Sequence, residues 1–275
     1  MSESTGDLAP TRRTKTLLLT VLGSVAAPNR LALWQETYVH GLAQLGARDA
    51  TARQTLSRAV SAGWLTRERV GRRTRLHVPE EHRIGLAKAA ERVADFGRPI
   101  EWNGEWLIVT LKVPEQARAV RHHFRTALGW LGFGSLGNGV WISPHTQNEA
   151  STLELLAGAE DISDVHVFRA ARSVDEPSRL AQSAWDMDSL RARYTTFLAR
   201  FGDAAPSTPE AIWKNWIELV TAWRHFPLFD PELPDHLLPP NWPRANAYRL
   251  FHDLDARWAG PALEHLVAIE ESISV

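Results

Sequence analysis

The residues best suited to chemistry in this chain are arginines gathered in one amino-terminal stretch. Residues 48–75 contain eight arginines and only two acidic residues, a local charge of +6, whereas the whole chain has a formal net charge of -1. A guanidinium group donates hydrogen bonds in a fixed plane that matches phosphate oxygens and the major-groove edge of guanine. The cluster therefore favours binding of double-stranded DNA, although a solvated surface charge is the simpler explanation for any single arginine.

The first half of this stretch predicts a helix with one apolar and one polar face. Apolar residues recur at helical spacing from Ala52 to Val60, and Gly63 follows where a helix should end. Asp49 stands at the position of an N-cap. The polar face carries four side chains that can reach base edges or phosphates in a major groove, namely Arg53, Gln54, Ser57 and Arg58.

Two short strands joined by a basic turn complete the stretch. They are predicted at residues 65–70 and 74–78, with Gly71 in the turn between them. A helix followed by a basic hairpin is the outline of a winged helix-turn-helix, in which the helix enters the major groove and the hairpin holds the flanking backbone or minor groove. The remaining predicted DNA-binding residues are Arg48, Arg69, Arg72, Arg73 and Arg75.

The elements around this stretch predict an α+β protein. Helices at residues 11–23 and 31–45 precede the basic helix, as in a winged helix. Residues 105–169 follow the ferredoxin-like order β-α-β-β-α-β if residues 132–136 form a strand. Helices are predicted further on at 186–201, 209–225, 244–258 and 261–272. The expected divisions are a winged helix-turn-helix DNA-binding domain at 1–80, a linker helix at 81–100, a ferredoxin-like central domain at 101–173, and a helical C-terminal domain for effector binding or dimerisation at 174–275.

Composition excludes several kinds of site and sets the expected compartment. The chain has no cysteine, which excludes disulfides, thiolate metal ligands and cysteine nucleophiles. We find neither an apolar run long enough to span a bilayer nor a signal peptide, so we expect a cytoplasmic protein with no membrane partner. Twelve tryptophans against three tyrosines suit either aromatic ligand cages or a core of large side chains, and the core is the simpler explanation.

Several short motifs succeed one another along the chain. They are Gly71-Arg72-Arg73, Trp102-Asn103-Gly104-Glu105-Trp106, Leu131-Gly132-Phe133-Gly134, Val140-Trp141-Ile142-Ser143-Pro144, and the proline-rich segments at 230–234 and 237–243. Together they resemble the PaaX family, transcriptional repressors of aromatic-acid catabolism, over about residues 11–260. The resemblance implies a homodimer that binds a palindromic operator and is released by an aryl-CoA thioester, phenylacetyl-CoA in the founding members. One departure is Arg244, where the family pattern leads us to expect glycine.

The effector that the resemblance implies suggests a second set of candidate residues. The phosphates of a CoA thioester favour basic side chains, and those of one predicted helix are Arg118, Arg121, His122 and Arg125. The acyl end favours an apolar pocket, for which the candidates are Trp213, Trp216, Trp223, Phe226 and Trp242. The simpler explanations are a solvated basic helix face and tryptophans that belong to the core.

The sequence leaves two alternative functions open, a metal-dependent nuclease and a non-DNA-binding adaptor. A metal-dependent nuclease would use carboxylates at the end of the first central strand, but residues 107–113 contain none and the next acid is Glu115. Neither HExxH-type metal spacing nor a phosphate-binding glycine loop occurs, so we expect no metal, no cofactor and no enzymatic activity. A non-DNA-binding adaptor that holds partners on its tryptophan-rich helices would show no sequence preference for DNA.

Overall fold

A computed structural model describes residues 10–114, 116–157, 162–171 and 177–274 of the chain. Within these ranges the protein has a mixed α+β fold with ten α-helices and two small antiparallel sheets. None of the described helices is both long and apolar enough to cross a membrane. Two positions from the sequence analysis, Glu115 and the predicted domain boundary at residue 173, lie outside the described residues.

The chain divides into two compact units, each made of segments that are distant in sequence. The first contains the described residues up to Asp95, Ala199–His225, and the described residues from Arg249 onward. The second contains Phe96–Leu198 and Phe226–Tyr248. The helical carboxy-terminal region is therefore shared between the two units, and the division into sequence domains stays a prediction.

The amino-terminal part of the first unit holds the basic stretch. Its elements are α1 (Pro10–Val21), a π-helical turn (Leu22–Ala26), β1 (Leu33–Trp34), α2 (Gln35–Gln44), α3 (Asp49–Ser61), β2 (Thr66–Val70), β3 (Arg73–His77) and α4 (Glu80–Asp95). The sheet order is β1-β3-β2, with Leu33 opposite Leu76 and Thr66 opposite His77. The sheet thus joins the segment before α2 to the hairpin that follows α3.

The helix starts in this part of the unit differ from the predictions. The helix predicted at 31–45 is wrong at its beginning, because Leu33 and Trp34 form β1 and α2 begins at Gln35. The N-cap of α3 is Arg48, which has extended backbone angles, and Asp49 is the first helical residue. Asp49 still lies in the first turn of the helix, where a carboxylate favours the helix dipole.

The second unit is built on a four-stranded sheet. Its first elements are β4 (Glu105–Lys112), α5 (Arg118–Trp130), β5 (Gly134–Gly137), β6 (Val140–Ser143), α6 (Glu149–Ala157), β7 (Ser163–Ala171) and α7 (Pro177–Ala184). The sheet order is β5-β6-β4-β7. Because side chains alternate along β4, Leu107 and Val109 pack with Phe124 of α5 on one face, while Trp106 packs with Ile142 on the other. The sheet therefore separates two apolar cores.

Three longer helices complete the fold: α8 (Met187–Phe201), α9 (Pro209–Trp223) and α10 (Arg244–Ser274). The predicted helix break between residues 258 and 261 is wrong, because α10 continues through Pro261. A proline inside a helix removes one N–H donor, and its ring crowds the residue before it, but Gly260 has no Cβ to crowd. Both α8 and α10 contribute residues to the two units, whereas α9 belongs to the first.

Candidate nucleic-acid interface

Helix α3 presents a polar face to solvent. Ala52, Thr55 and Leu56 are buried on its inner side. The four side chains predicted to contact bases or phosphates are all exposed: Arg53, Gln54, Ser57 and Arg58. An intramolecular ion pair, between the Arg53 Nη1 and Glu36 Oε1 atoms at 4.0 Å, is solvent-exposed and therefore weak. The face is free to meet a ligand, and its contact with DNA stays a prediction.

The hairpin of β2 and β3, which follows α3 in the chain, forms a second basic surface. Every residue of β2 is exposed, and Gly71 adopts a positive φ of 62° in the turn, a conformation that glycine accepts without strain. The Arg69 Nε atom donates a hydrogen bond to the Gly71 carbonyl at 3.2 Å. Arg72 at the tip and Arg48 at the start of α3 are also exposed. These arginines of the hairpin and of the start of α3 are exposed, so phosphates can reach them.

Arg73 and Arg75, by contrast, are engaged within the protein. The Arg75 guanidinium lies 4.4 Å from the centre of the Trp34 ring, and its Nη2 atom lies 3.7 Å from the Glu270 carboxylate. Arg73 donates a hydrogen bond to the Ile273 carbonyl near the end of α10. Both side chains therefore join the hairpin to α10, and the DNA contacts predicted for them stay untested.

Glu270 joins three elements beneath this surface. Its Oε2 atom accepts hydrogen bonds from the Trp34 backbone N–H at 2.9 Å and from the Thr37 hydroxyl at 2.6 Å. Trp34 is the N-cap of α2 and Thr37 its third residue, so the carboxylate takes the place that an acidic third residue fills in a capping box. Its negative charge at the start of α2 also favours the helix dipole. Glu270 thus holds β1, α2 and Arg75 of β3 together.

The basic residues proposed for the effector phosphates lie on one helix. Arg118, Arg121, His122 and Arg125 are exposed on α5. The inner side of α5, with Phe124 and Leu128, packs on the sheet face that carries Leu107 and Val109. This basic face therefore lies on the opposite side of the sheet from Trp106.

Three of the tryptophans proposed for the acyl end are core residues of the first unit. Trp213, Trp216 and Trp223 are buried, and their indole N–H groups donate to the Gly41 carbonyl at 3.0 Å, the Asp255 carboxylate at 2.7 Å and the Val93 carbonyl at 3.1 Å, respectively. Phe226 and Trp242 belong to the second unit. The predicted set is thus divided between two units, and its contact with an effector stays a prediction.

The second unit contains a group of four tryptophans that the sequence analysis did not predict as a group. We call it the indole cluster, and its members are Trp102, Trp106, Trp185 and Trp242. Ring centres are 5.1 Å apart for Trp102 and Trp106 and 6.4 Å apart for Trp106 and Trp185. Trp242 belongs to the same apolar core, between the sheet and the proline-rich loop. The motif at 102–106 and the excess of tryptophan were the available signals, but neither indicates which rings meet.

Hydrogen bonding distinguishes members of the indole cluster. The Trp102 indole N–H donates to the Glu105 carbonyl at 2.6 Å. The indole nitrogens of Trp106, Trp185 and Trp242 are buried and have no hydrogen-bond partner among the described residues. A buried N–H group without an acceptor costs about 1–3 kcal/mol, so three in one core are unusual.

A buried ionic network supports the proline-rich loop next to the cluster. Arg244 donates to the Leu233 carbonyl and to the Asp235 carboxylate, both at 2.7 Å, and its Nη1 atom lies 3.8 Å from Asp230. The Tyr194 hydroxyl donates to the other oxygen of Asp230. Burial raises the pKa of the Asp230 carboxyl above its ordinary value, although Arg244 and the Tyr194 hydrogen bond oppose the shift. Arg244, the departure from the family pattern, is therefore a buried counter-ion.

Within the described ranges, no group of three or more histidine, aspartate or glutamate side chains is arranged to hold a metal ion.

Comparison with known proteins gives consistent matches along the chain. Family models match at residues 13–78 (PaaX-like protein), 99–182 (PaaX protein central Cas2-like domain) and 185–268 (PaaX-like protein C-terminal domain). The transcriptional repressor PaaX of Escherichia coli (strain K12) is 27% identical over 243 residues, which cover 84% of this chain and 76% of that protein. The solved structure of the uncharacterized protein Rv0674 from Mycobacterium tuberculosis has a similar fold, with a TM-score of 0.64 and 21% identity over 92% of this chain and 98% of that one.

Proposed function

Because the chain belongs to the PaaX family, we propose that it is a transcriptional repressor that binds operator DNA through α3 and the β2–β3 hairpin. The observation that carries the proposal is the exposed polar face of α3 in a stretch of charge +6. The element order from α1 to β3, with a β1-β3-β2 sheet, supports a winged helix-turn-helix. The similarity to a repressor also argues for a regulator rather than an enzyme.

In the proposed complex, the helix and the hairpin have different tasks. Helix α3 enters the major groove, where Arg53 and Arg58 read base edges with Gln54 and Ser57 beside them. Arg69 and Arg72 of the hairpin, with Arg48 at the start of α3, contact phosphates and fix the register. Arg73 and Arg75 contribute chiefly by holding the hairpin in place, since both already have partners within the protein.

The experiment compares Arg53→Ala and Arg72→Ala on a selected operator and on random duplex. The operator is first obtained by selecting bound duplexes from a random pool. Arg53→Ala should lose about 1–3 kcal/mol of discrimination between the two duplexes, because a bidentate base contact disappears. Arg72→Ala should weaken both complexes alike and reduce the salt slope by about 0.9, because one phosphate contact disappears.

The control is Lys88→Ala, a charge removed from an exposed position on α4 in the same unit. It should leave the discrimination unchanged. Equal effects of Arg53→Ala and Arg72→Ala on both duplexes would contradict the division between base and phosphate contacts. Absence of any sequence preference in the wild type would instead favour the adaptor function and would refute the repressor.

We further propose that the protein is a homodimer on a palindromic operator and that an aryl-CoA thioester such as phenylacetyl-CoA releases it. The order β4-α5-β5-β6-α6-β7 with a β5-β6-β4-β7 sheet supports a ferredoxin-like domain in the middle of the sequence. A ligand releases DNA only if it binds the DNA-incompetent state more tightly. Light scattering tests the dimer, and displacement of operator by phenylacetyl-CoA but not by CoA tests the effector.

A further inference from the structure

We propose that the indole cluster binds the aryl end of the effector, and that its unpaired indole N–H groups, those of Trp106, Trp185 and Trp242, supply the donors for the single thioester carbonyl oxygen, which accepts up to two hydrogen bonds. This inference rests on the proposed function, since it locates the effector of the same repressor. It replaces the tryptophans of α9 with rings on the sheet face opposite α5. Of the residues predicted from sequence, Trp242 alone belongs to the cluster.

The first support is the contrast in hydrogen bonding between two groups of buried tryptophans. Those of α9 donate to protein oxygens at 2.7–3.1 Å, as expected for structural core residues. Those of the indole cluster at positions 106, 185 and 242 lack an acceptor among the described residues, although Trp106 is 98% buried. Three desolvated donors in one core are therefore able to donate hydrogen bonds to a bound ligand.

The second support is the chemistry of the surrounding side chains. Aromatic rings border the cluster, with His236 stacked on Trp102 at 5.0 Å between ring centres. Such a surface favours a flat aromatic group, and the donors favour a carbonyl or carboxylate attached to it. The Arg191 guanidinium lies 4.8 Å from the centre of the Trp242 ring and adds a positive charge at the edge. An arylacetyl group combines these properties.

The third support is that the cluster is positioned and partly accessible. A Cβ atom on Gly134 would lie 2.5 Å from the Trp185 ring, so the glycine allows this ring to approach β5 closely. Trp102, Trp185 and Trp242 are only partly buried, in contrast to Trp106. The cluster therefore reaches the protein surface at these three rings, which is the side from which a ligand would approach.

The test titrates the full-length protein with phenylacetyl-CoA, phenylacetate and CoA, and follows the indole N–H resonances by nitrogen-15 NMR. Trp→Phe variants assign the resonances. Phenylacetyl-CoA should shift the signals of Trp106, Trp185 and Trp242 and leave those of Trp213, Trp216 and Trp223 in place. Shifts with phenylacetate alone would identify the free acid as the ligand, and shifts with the thioester alone would identify the CoA ester.

Affinity measurements on matched variants complete the test. Trp242→Phe and Trp185→Phe each remove one unpaired donor and should raise the Kd about tenfold, the equivalent of one hydrogen bond. Trp102→Phe is the matched control, since it removes a similar volume from the same cluster but a donor that is already paired. It should change the Kd much less, and all three variants should bind operator DNA like the wild type in the absence of effector.

The outcomes separate this inference from the proposed function. Equal losses for Trp102→Phe and both donor variants, or shifts confined to the α9 tryptophans, would overturn the site while leaving an effector-controlled repressor intact. A Kd unchanged in both donor variants would mean that the donors meet ordered water only, which also overturns it. If the wild type binds operator but none of the three ligands, both the proposed effector and the proposed site are wrong, while the proposed DNA recognition is unaffected.

Discussion

Glu270 is a single side chain on which the arrangement of the proposed DNA-binding surface depends. Its carboxylate is 87% buried, accepts two hydrogen bonds at the start of α2 and faces Arg75. Hydrogen bonds to charged groups contribute more than neutral ones, and a partly buried site protects them from solvent. The sequence contains no signal for this role, because Glu270 is distant from each of its partners along the chain.

Replacing Glu270 with alanine should lower both stability and operator affinity. We expect a loss of about 2–3 kcal/mol in the free energy of unfolding, because two charge-assisted hydrogen bonds disappear. Operator affinity should fall as well, since the start of α2 and the hairpin lose their common support. Denaturant unfolding and DNA titration measure the two effects. The neighbouring Glu271→Ala is the control, because Glu271 is exposed. Equal losses of stability and operator affinity in both variants would show that Glu270 does not support the start of α2 and the hairpin.

In the second unit, Arg244 is a buried charged side chain with several partners, as Glu270 is in the first unit. At a pH above the folded pKa of Asp230, Arg244→Met should reduce the free energy of unfolding by about 3–5 kcal/mol, because the buried, ionised carboxylate loses its nearest cation. The double variant Asp230→Asn/Arg244→Met should recover much of the loss, since no uncompensated charge is left. Urea unfolding of the single and double variants tests this. Additive losses would show that the two side chains do not form a coupled pair.

Asp230 should also make the stability of the protein depend on pH. Burial raises its pKa in the folded state, so its contribution is most favourable below the unfolded pKa of about 3.9 and declines as pH rises through the folded pKa. The stability of the wild type relative to Asp230→Asn should therefore be greatest near about pH 4 and decrease toward neutral pH. A difference that stays constant or grows with pH would contradict the raised pKa.

Helices and strands that follow from the local spacing of apolar residues could be predicted from the sequence. Elements that form only through pairing or packing with distant segments could not. The faces of α3 follow from helical spacing between Ala52 and Val60, and β5 was expected from the order of its neighbours. Strand β1 has two residues and exists only because β3 pairs with it. Helix α10 continues through Pro261 because the chain on either side is helical and packed, which the proline obscured.

The candidate ligand site shows the same limit. Sequence spacing identified Trp213, Trp216 and Trp223 as a broad apolar face, which is what the core of α9 requires. It could not reveal that their indole N–H groups find acceptors in distant segments, such as Gly41 and Val93. Nor could it show that Trp106 and Trp185 lie within 6.4 Å of each other without such acceptors. Whether a buried polar group finds a hydrogen-bond partner depends on the fold and cannot be predicted from amino-acid composition.

At the scale of the whole molecule, the elements proposed to bind DNA depend on segments that are distant in the sequence. Trp213 and Trp223 of α9 are fully buried, and they donate to carbonyls of α2 and α4. A fragment of residues 1–95 lacks these side chains and should not form the native core by itself. We expect no cooperative thermal transition and weak near-ultraviolet dichroism. A sharp transition in this fragment would show that the amino-terminal elements fold independently.

The contacts at the end of α10 have a practical consequence for laboratory work. Arg73 donates a hydrogen bond to the carbonyl of Ile273, in the last turn of α10. An affinity tag or fluorescent protein inserted directly after Ile273 would be attached beside the basic hairpin. We therefore expect proteins labelled at this position to be poor reagents for measuring operator binding.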